Sequence, residues 1–286
     1  MPEVEVIHGD CLDVLPTLEA GSVDAVVTDP PYPCVKRSYG TWTEAEWFAL
    51  MDPVVEQCRR VLKPTGSAVF VLQPNSERVG RMRTWFLEFV LKWAKAWGWV
   101  QDHYWWNIAT LPGNYGGLNR PSVKACVWFG DPGCYRDQDA VLWTESDRNR
   151  AVRASARCDR TVSYPSGRTV NHKRMCGRAE LKDGGVTSYN LLPISNTNST
   201  DSAGSNGHGA GTPLALCRWW VRYICPPDGL ILDPFLGSGT TAVACLKEGR
   251  RCVGIEREAE YVEIARRRVA EVEAATPLFR QLEIGG

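Results

Sequence analysis

The chain has 286 residues, of which 44% are hydrophobic, and its formal net charge at pH 7 is zero. This length and apolar content predict one large domain with a substantial core, or such a domain with a sizeable insertion. No apolar run is long enough to span a membrane and the first residues do not resemble a signal peptide, so we expect no membrane partner.

The 11 cysteines are irregularly spaced and contain no C-x-x-C pair. This pattern argues against zinc clusters and disulfide frameworks, and it predicts reduced thiols in a cytoplasmic protein with no bound metal. Since the net charge is zero, any surface for nucleic acid must arise from local segregation of charge.

The first predicted elements are a short strand and a short helix. Residues Val4–Ile7 alternate as a strand does, and Leu12–Leu18 form a helical segment. Between them lies Asp10, whose side chain can cap the N-terminus of that helix.

The next apolar segment, Val23–Thr28, is nearly continuous and rich in valine, as is typical of a parallel strand buried on both faces. It is followed by Asp29, Pro30, Pro31 and Tyr32. Because proline has no N–H for the sheet ladder, the chain must leave the sheet at Asp29, at the carboxyl edge where open α/β sheets bind ligands. The same four residues could also form no more than a strand-ending turn.

The chemistry that suits this turn is methylation of an exocyclic amine on a nucleobase. The Asp29 carboxylate and the Pro30 carbonyl can each accept one N–H, which turns the nitrogen lone pair towards an electrophile. The Tyr32 ring can stack on the base once the base is rotated out of its duplex.

The middle of the chain continues the alternation of helices and strands. The loop 33–42 contains Lys36 and Arg37, which either touch phosphate or are simply solvated. Helices are predicted over 43–62 and 78–97, and strands over 67–72, 100–107 and 123–129; this alternation favours a parallel sheet. The aromatic residues of the second helix are interpreted as core or as the face of a homodimer.

From about residue 131 to 207 the periodicity fails. Between Arg148 and Lys182 there are ten Lys or Arg and two acids, a local excess of +8. This excess predicts a phosphate-binding surface in a target-recognition insertion between two catalytic-domain segments, 1–130 and 208–286; the alternative is a solvated, disordered loop. The nucleic-acid-binding side chains predicted there are Arg148, Arg150, Arg153, Arg157, Arg160, Lys173 and Arg174.

The last third contains a second motif. A threonine-proline pair, Thr212-Pro213, predicts the N-cap of a helix that runs to Ile224. After a strand over 230–232, the segment D-P-F-L-G-S-G-T-T allows a tight glycine turn into a helix whose N-terminus can hold an anionic group. A third strand over 251–255 ends at Glu256, an acid well placed to accept both ribose hydroxyls of a nucleoside cofactor. A charged amphipathic helix over 258–273 and a loose tail from Ala274 complete the chain.

The D-P-P-Y and D-P-F-x-G-S-G-T-T motifs, in this order, resemble the amino-group DNA methyltransferases that use S-adenosylmethionine, in their permuted β-type arrangement. The resemblance covers roughly residues 4–75 and 208–272. It implies a Rossmann-like α/β fold with a seven-stranded, mostly parallel sheet and a basic irregular insertion. It also implies S-adenosylmethionine as cofactor and double-stranded DNA as partner.

The resemblance assigns cofactor contacts to both ends of the chain. Asp10, with Cys11 beside it, is expected near the cofactor's adenine. The family usually has a lysine just before the proline at Pro213; here Thr212 takes that position, which puts a cofactor contact from this segment in doubt. The other residues predicted to bind the cofactor are Asp233, Phe235, Gly237, Ser238, Gly239, Thr240, Thr241 and Glu256.

The resulting hypothesis is direct methyl transfer governed by proximity and orientation, without a cysteine nucleophile or a metal. A first motif that begins with aspartate favours adenine N6, because cytosine-N4 members of the family more often begin it with serine. Three alternatives stay open at this point: cytosine-N4 methylation, methylation of RNA or of a protein glutamine, and a non-enzymatic DNA-binding module.

Overall fold

A computed structural model describes residues 2–36, 40–106, 123–143, 161–163, 169–171, 188–194 and 212–283. The chain divides into two units, one made of Met1–Arg136 with Asn190–Gly286 and the other of Asp137–Tyr189. The second unit falls within the predicted insertion, whose role in target recognition stays a prediction.

The strands and helices are as follows. The strands are β1 Val4–His8, β2 Val23–Thr28, β3 Leu62–Leu72, β4 Ser76–Arg78, β5 Arg81–Met82, β6 Trp99–Trp106, β7 Val123–Gly130, β8 Thr161–Ser163, β9 Thr169–Asn171, β10 Leu191–Pro193, β11 Leu230–Asp233 and β12 Arg251–Glu256. The helices are α1 Cys11–Val14, α2 Glu44–Val61, α3 Trp85–Ala96, α4 Leu214–Ile224, α5 Thr240–Lys247 and α6 Ala259–Glu283.

The first unit is organised around an eight-stranded sheet in the order β1-β12-β11-β2-β3-β7-β6-β10. Only β7 in this sheet runs against the others, because its pairings with β3 and β6 are antiparallel while the remaining pairings are parallel. The carboxyl ends of β1, β12, β11, β2 and β3 therefore share one edge, and the first residues of β7 reach that same edge. The predicted α/β fold is confirmed, with one strand more than expected because β10 adds beside β6.

Aromatic packing covers both faces of this sheet, since neighbouring residues of a strand point to opposite faces. On β7, Phe129 packs against Phe89 of α3, with ring centroids 6.0 Å apart. Its neighbour Trp128 instead packs against Trp220 of α4, with centroids 6.0 Å apart. Helices on both faces make the sheet the buried centre of the unit.

Two sequence predictions about helices were wrong. The segment predicted as a helix over 78–97 begins with the antiparallel hairpin β4–β5, and α3 starts only at Trp85. The cause is the turn at Gly80, whose φ of +79° lies outside the right-handed helical region. The tail predicted to be loose from Ala274 continues α6 to Glu283. Pro277 disfavours a helix there, whereas the surrounding Ala, Leu, Arg, Gln and Glu favour one.

The core interpretation of the aromatic residues of the second predicted helix holds. The aromatic face of α3 belongs to the core, since Trp85, Phe89 and Trp93 are buried. The nine cysteines that the structure describes are free thiols, and eight of them are buried. None of the described helices is both long enough and apolar enough to cross a bilayer.

The second unit is described in part. Its strands β8 and β9 pair in antiparallel fashion, and the rings of Trp143 and Tyr189 meet edge to face, with centroids 4.9 Å apart. The second unit therefore contains a strand pairing and an aromatic contact between its own residues.

Candidate active site

The turn Asp29–Tyr32, here called the catalytic turn, lies at the carboxyl end of β2. The Tyr32 hydroxyl donates a hydrogen bond to Asp29 Oδ1. The indole N–H of Trp47 on α2 donates to the Pro31 carbonyl oxygen over 2.6 Å. The turn is thus held both within itself and from the neighbouring helix.

The second carboxylate oxygen of Asp29 is bound by residues from two distant segments. The Thr212 hydroxyl donates to Asp29 Oδ2, and Lys124 Nζ at the start of β7 lies 3.5 Å from the same oxygen. The sequence predicted Thr212 as the N-cap of α4, which is wrong: Pro213 occupies that position and the Thr212 side chain does not cap the helix. Neither contact with Asp29 was foreseen.

The segment Asp233–Thr241, here called the glycine turn, connects β11 to α5. Gly237 and Gly239 have φ values of 55° and 86°, a conformation that glycine adopts without strain. At Gly239 a side chain would also collide, because a Cβ there would lie 2.9 Å from the Cα of Ala265 on α6. The predicted tight turn with close backbone approach is what the structure has.

Glu256, the acid at the end of β12, lies against this turn. Its Oε2 accepts a hydrogen bond from Gly237 N over 2.8 Å, and its Oε1 accepts one from Glu258 N over 2.7 Å. These bonds fix the carboxylate, and each oxygen keeps a second lone pair for a ligand hydroxyl. The arrangement suits the predicted role on a ribose.

Asp233 is buried, and it links the two turns. Its Oδ1 accepts hydrogen bonds from Thr28 Oγ1 over 2.7 Å and from Phe235 N over 3.1 Å. Burial raises the pKa of this carboxyl to about 6. The hydrogen bond from Thr28 to Asp233 links the end of β2 to the end of β11.

At the other end of the sheet edge, Asp10 caps α1, since its Oδ1 accepts a hydrogen bond from Leu12 N over 2.9 Å. Its neighbour Cys11 is buried, and burial raises the pKa of that thiol to about 12, with the Asp10 charge adding to the effect. A thiol of this kind stays protonated at neutral pH and is a poor nucleophile.

The sequence interpretation missed Arg268 on α6, which supports the glycine turn. Its guanidinium Nη1 donates to the Ser238 carbonyl oxygen over 2.6 Å and lies 3.3 Å from Thr240 Oγ1. A signal was present, because Arg268 lies four residues after Ile264 and seven after Tyr261, on the apolar stripe of the helix rather than its charged face. A buried arginine on an apolar stripe indicates a partner inside the protein.

Both turns open into one cavity of about 660 Å³. The lining contains Asp29, Pro30, Pro31 and Tyr32, and it contains every residue predicted to bind the cofactor except Gly239. Lys124, Thr212 and Tyr261 also line it, although the sequence did not single out any of them as site residues. The volume lies within the range of roughly 300–1,000 Å³ typical of small-molecule sites.

The predicted nucleic-acid contacts divide into two groups. Lys36 lines the cavity. Arg37 and the basic residues of the insertion lie outside the described residues; these are Arg148, Arg150, Arg153, Arg157, Arg160, Lys173 and Arg174. Among the described residues, no group of three or more His, Cys, Asp or Glu side chains is arranged to hold a metal ion.

An open, mostly parallel sheet with a glycine turn and an acid at the ends of adjacent strands defines a Rossmann-like methyltransferase fold. The sequence model of the DNA methylase family (N6_N4_Mtase) matches residues 23–267, and the chain belongs to that family. Membership confirms the predicted class, an amino-group DNA methyltransferase that acts on adenine N6 or cytosine N4 with S-adenosylmethionine as methyl donor.

Two curated relatives match this chain over most of its length and most of their own. The chain is 28% identical to the Type II methyltransferase M.PvuII of Proteus hauseri over 89% of this chain and 80% of that protein. It is 25% identical to the Type II methyltransferase M.HinfI of Haemophilus influenzae over 93% of this chain and 68% of that protein.

Solved structures show the same fold. The PvuII DNA methyltransferase (cytosine-N4-specific) matches with a TM-score of 0.68 at 21% identity, over 96% of this chain and 92% of that chain. The M1.HpyAVI–SAM complex matches with a TM-score of 0.57 at 18% identity, over 93% of this chain and 98% of that chain.

Proposed function

We propose that the protein methylates the exocyclic amine of a base flipped out of double-stranded DNA, and that the base is adenine, methylated at N6. The observation that carries the proposal is the shared cavity: Asp29 of the catalytic turn and Glu256 beside the glycine turn line the same space. A base held by the catalytic turn would face a cofactor held by the glycine turn and Glu256.

The residues of the glycine-turn half fit S-adenosylmethionine by their chemistry. Glu256 offers carboxylate lone pairs to ribose hydroxyls, and Asp10 lies further along the sheet edge for the adenine amine. The first turn of α5, at Thr240 and Thr241, presents backbone N–H groups suited to a carboxylate. When bound there, the cofactor supplies a methyl group activated by a sulfonium.

The catalytic turn supplies the acceptors for the base. The Asp29 carboxylate takes one N–H of the exocyclic amine and the Pro30 carbonyl takes the other, which orients the nitrogen lone pair. The Pro31 carbonyl already accepts the Trp47 indole N–H, so the backbone beside Pro30 is anchored. The Tyr32 ring lines the cavity and provides the surface on which the base stacks.

Adenine is proposed because the first motif begins with Asp29, in keeping with the resemblance described above. Cytosine N4 is the second candidate. It is favoured by the similarity to M.PvuII, whose solved structure is described as cytosine-N4-specific. Both bases present an exocyclic amine with two N–H donors, so the acceptor pair at Asp29 and Pro30 suits either.

For the DNA backbone we propose the basic residues of the insertion, Arg148 to Arg174, with Lys36 at the cavity mouth. Their charge suits phosphate contacts, which position the duplex without reading its sequence. An affinity for duplex DNA that falls steeply with salt concentration would support this assignment.

Product identification tests the proposal. The protein is incubated with unmethylated duplex DNA and S-adenosylmethionine, and the DNA is digested to nucleosides for mass spectrometry. N6-methyl-2′-deoxyadenosine supports adenine as the target base, and N4-methyl-2′-deoxycytidine supports cytosine. Absence of both products, with methyl transfer to RNA or protein instead, would overturn the proposal.

A further inference from the structure

We propose that Lys124 is a positioning residue that fixes the Asp29 and Tyr32 side chains in the catalytic turn, with Thr212 as a neutral second support. The contacts that suggest this are independent of any substrate. Its consequence for methyl transfer rests on the function proposed above.

The topology explains how a lysine 95 positions away from Asp29 in the sequence reaches it. Every other strand of the sheet ends at the edge where the cavity opens, but the antiparallel β7 begins there. Lys124 is the second residue of β7 and is paired with Trp105 near the end of β6. The one reversed strand thus places an ammonium group beside the catalytic turn.

The Lys124 ammonium contacts both functional side chains of that turn. Its Nζ lies 3.1 Å from Tyr32 Oη, to which it donates, and 3.5 Å from Asp29 Oδ2. The phenol in turn donates to Asp29 Oδ1. Ammonium, phenol and carboxylate therefore contact one another pairwise, so moving any one of them disturbs the other two; the phenol oxygen also lies 3.2 Å from the Val71 carbonyl oxygen.

Two aromatic rings confine the ammonium. Lys124 Nζ lies 5.1 Å from the ring centroid of Trp105, within the range of cation–π attraction, and 5.2 Å from that of Tyr32, on the hydroxyl side of the ring. The Trp105 indole is itself fixed, because its N–H donates to the Ile194 carbonyl oxygen over 2.9 Å. The lysine side chain is only 17% exposed, so its position is set by packing as well as by charge.

An ammonium here also balances unfavourable charge. The buried Asp233 carboxylate and the Asp29 carboxylate raise each other's energy when both are ionised. The nearby thiols of Cys126 and Cys217 add no charge at neutral pH, because burial raises the pKa of both. Among the described residues, Lys124 supplies the ion pair with Asp29.

Both oxygens of Asp29 thus already accept hydrogen bonds from the chain. Oδ1 accepts one, from Tyr32, and keeps a second lone pair for an arriving amine, whereas Oδ2 is contacted by both Thr212 and Lys124. We infer that Lys124 stays in contact during transfer and keeps the acceptor oxygen aimed at the amine.

The first test reads out the turn itself. Tyrosines are labelled with 3-fluorotyrosine, and the ¹⁹F signal of Tyr32 is assigned by its loss in Tyr32→Phe. Lys124→Met should move or broaden that signal. The matched control is Lys92→Met, because Lys92 also has an ion pair, to Asp52 over 2.7 Å, and a cation–π contact, to Trp93 at 5.3 Å, but does not line the cavity. An unchanged Tyr32 signal in Lys124→Met would overturn the proposal whether or not the protein methylates DNA.

The second test uses steady-state kinetics. Lys124→Met should lower kcat by about 10- to 100-fold, the size expected when a reacting group is misaligned, while the Kd for S-adenosylmethionine changes by less than about threefold. Lys124→Arg should restore most of the rate, because it keeps a cation at this position. An unchanged kcat, or equal losses in Lys124→Met and Lys92→Met, would refute the positioning role. An inactive wild-type protein with a shifted Tyr32 signal would instead count against the proposed function and leave the contact assignment supported.

Discussion

The catalytic turn and the glycine turn end adjacent strands of one sheet, β2 and β11, but they are stabilised in different ways. The glycine turn is held by its own βαβ unit and the helix after it: Leu236 N donates to Ile255 O over 2.9 Å, Gly237 N donates to Glu256, and Arg268 holds Ser238. These partners lie within about thirty residues of the turn in the sequence, and the exception is Thr28, which lies 205 positions from Asp233.

The catalytic turn depends on partners from far along the chain. Lys124 lies 92 positions from Tyr32 and Thr212 lies 183 positions from Asp29, while Trp47, at 16 positions from Pro31, is the one nearby partner named here. The glycine turn is therefore held mainly by contacts that are local in the sequence, whereas the catalytic turn assembles only when the whole sheet is formed. A substitution should therefore impair mainly the function of the end of the cavity at which it lies.

The largest effect is expected from Asp29→Ala, which removes the main acceptor at one end only. Methyl transfer should fall by at least about 10²–10³-fold, the size typical of losing one group that stabilises a transition state. Binding of S-adenosylmethionine, measured by calorimetry, should change little. Asp52→Ala is the control, because Asp52 forms its ion pair with Lys92 away from the cavity. Parallel loss of transfer and cofactor binding would refute the division into two ends.

At the cofactor end, Gly239→Ala should be the most damaging small substitution. The new methyl group would meet Ala265 at 2.9 Å in addition to the cost of a φ of +86°. Gly249→Ala carries the backbone cost alone, since its φ is +70° and no atom lies within 4 Å. Denaturant unfolding should show a loss of about 1–2 kcal/mol for Gly249→Ala, and a further loss of about 1–3 kcal/mol for Gly239→Ala. Equal losses would mean that contact with α6 does not shape the turn.

A third prediction concerns Asp233, which joins the two turns. Its pKa rises from 3.8 unfolded to about 6 folded, so the folded state binds the proton more tightly between these values. Wild-type stability should therefore rise relative to Asp233→Asn as pH falls from about 6 to 3.8, by about 1.4 kcal/mol per pH unit.

Urea unfolding of both proteins at several pH values measures this difference. Taking the difference removes the opposite contribution of His103, whose pKa is lowered to about 4 by burial, so that its protonation in the unfolded state destabilises the fold below pH 6.5. A pH-independent difference would show that Asp233 is stabilised by its hydrogen bonds as much as it is destabilised by burial.

The smallest effect is expected from Trp47→Phe, which removes the hydrogen bond to Pro31 but keeps an aromatic ring in the core. The rate should fall by about 2- to 13-fold, in line with a hydrogen bond worth roughly 0.5–1.5 kcal/mol. Trp93→Phe is the control, since Trp93 is buried in the same cluster and its indole N–H has no hydrogen-bond partner among the described residues. Comparable stability losses with a rate loss in Trp47→Phe alone would tie the effect to the turn.

Several elements of the fold and of the candidate site can be predicted from the sequence alone. The buried valine strand before Asp29, the glycine turn and the acid at Glu256 are local patterns, and each follows from the hydrogen-bonding and steric properties of a few consecutive residues. The same holds for the start of α2, which was predicted at residue 43 and where Thr43 and Glu46 form a capping box.

The tertiary structure decided the rest. The Thr212 hydroxyl donates to Asp29 from 183 positions away and does not cap α4. Lys124 is placed by the reversed direction of β7, which the pattern of residues within a strand does not encode. Contacts between distant segments depend on strand order and direction, and these arise from the packing of the whole sheet.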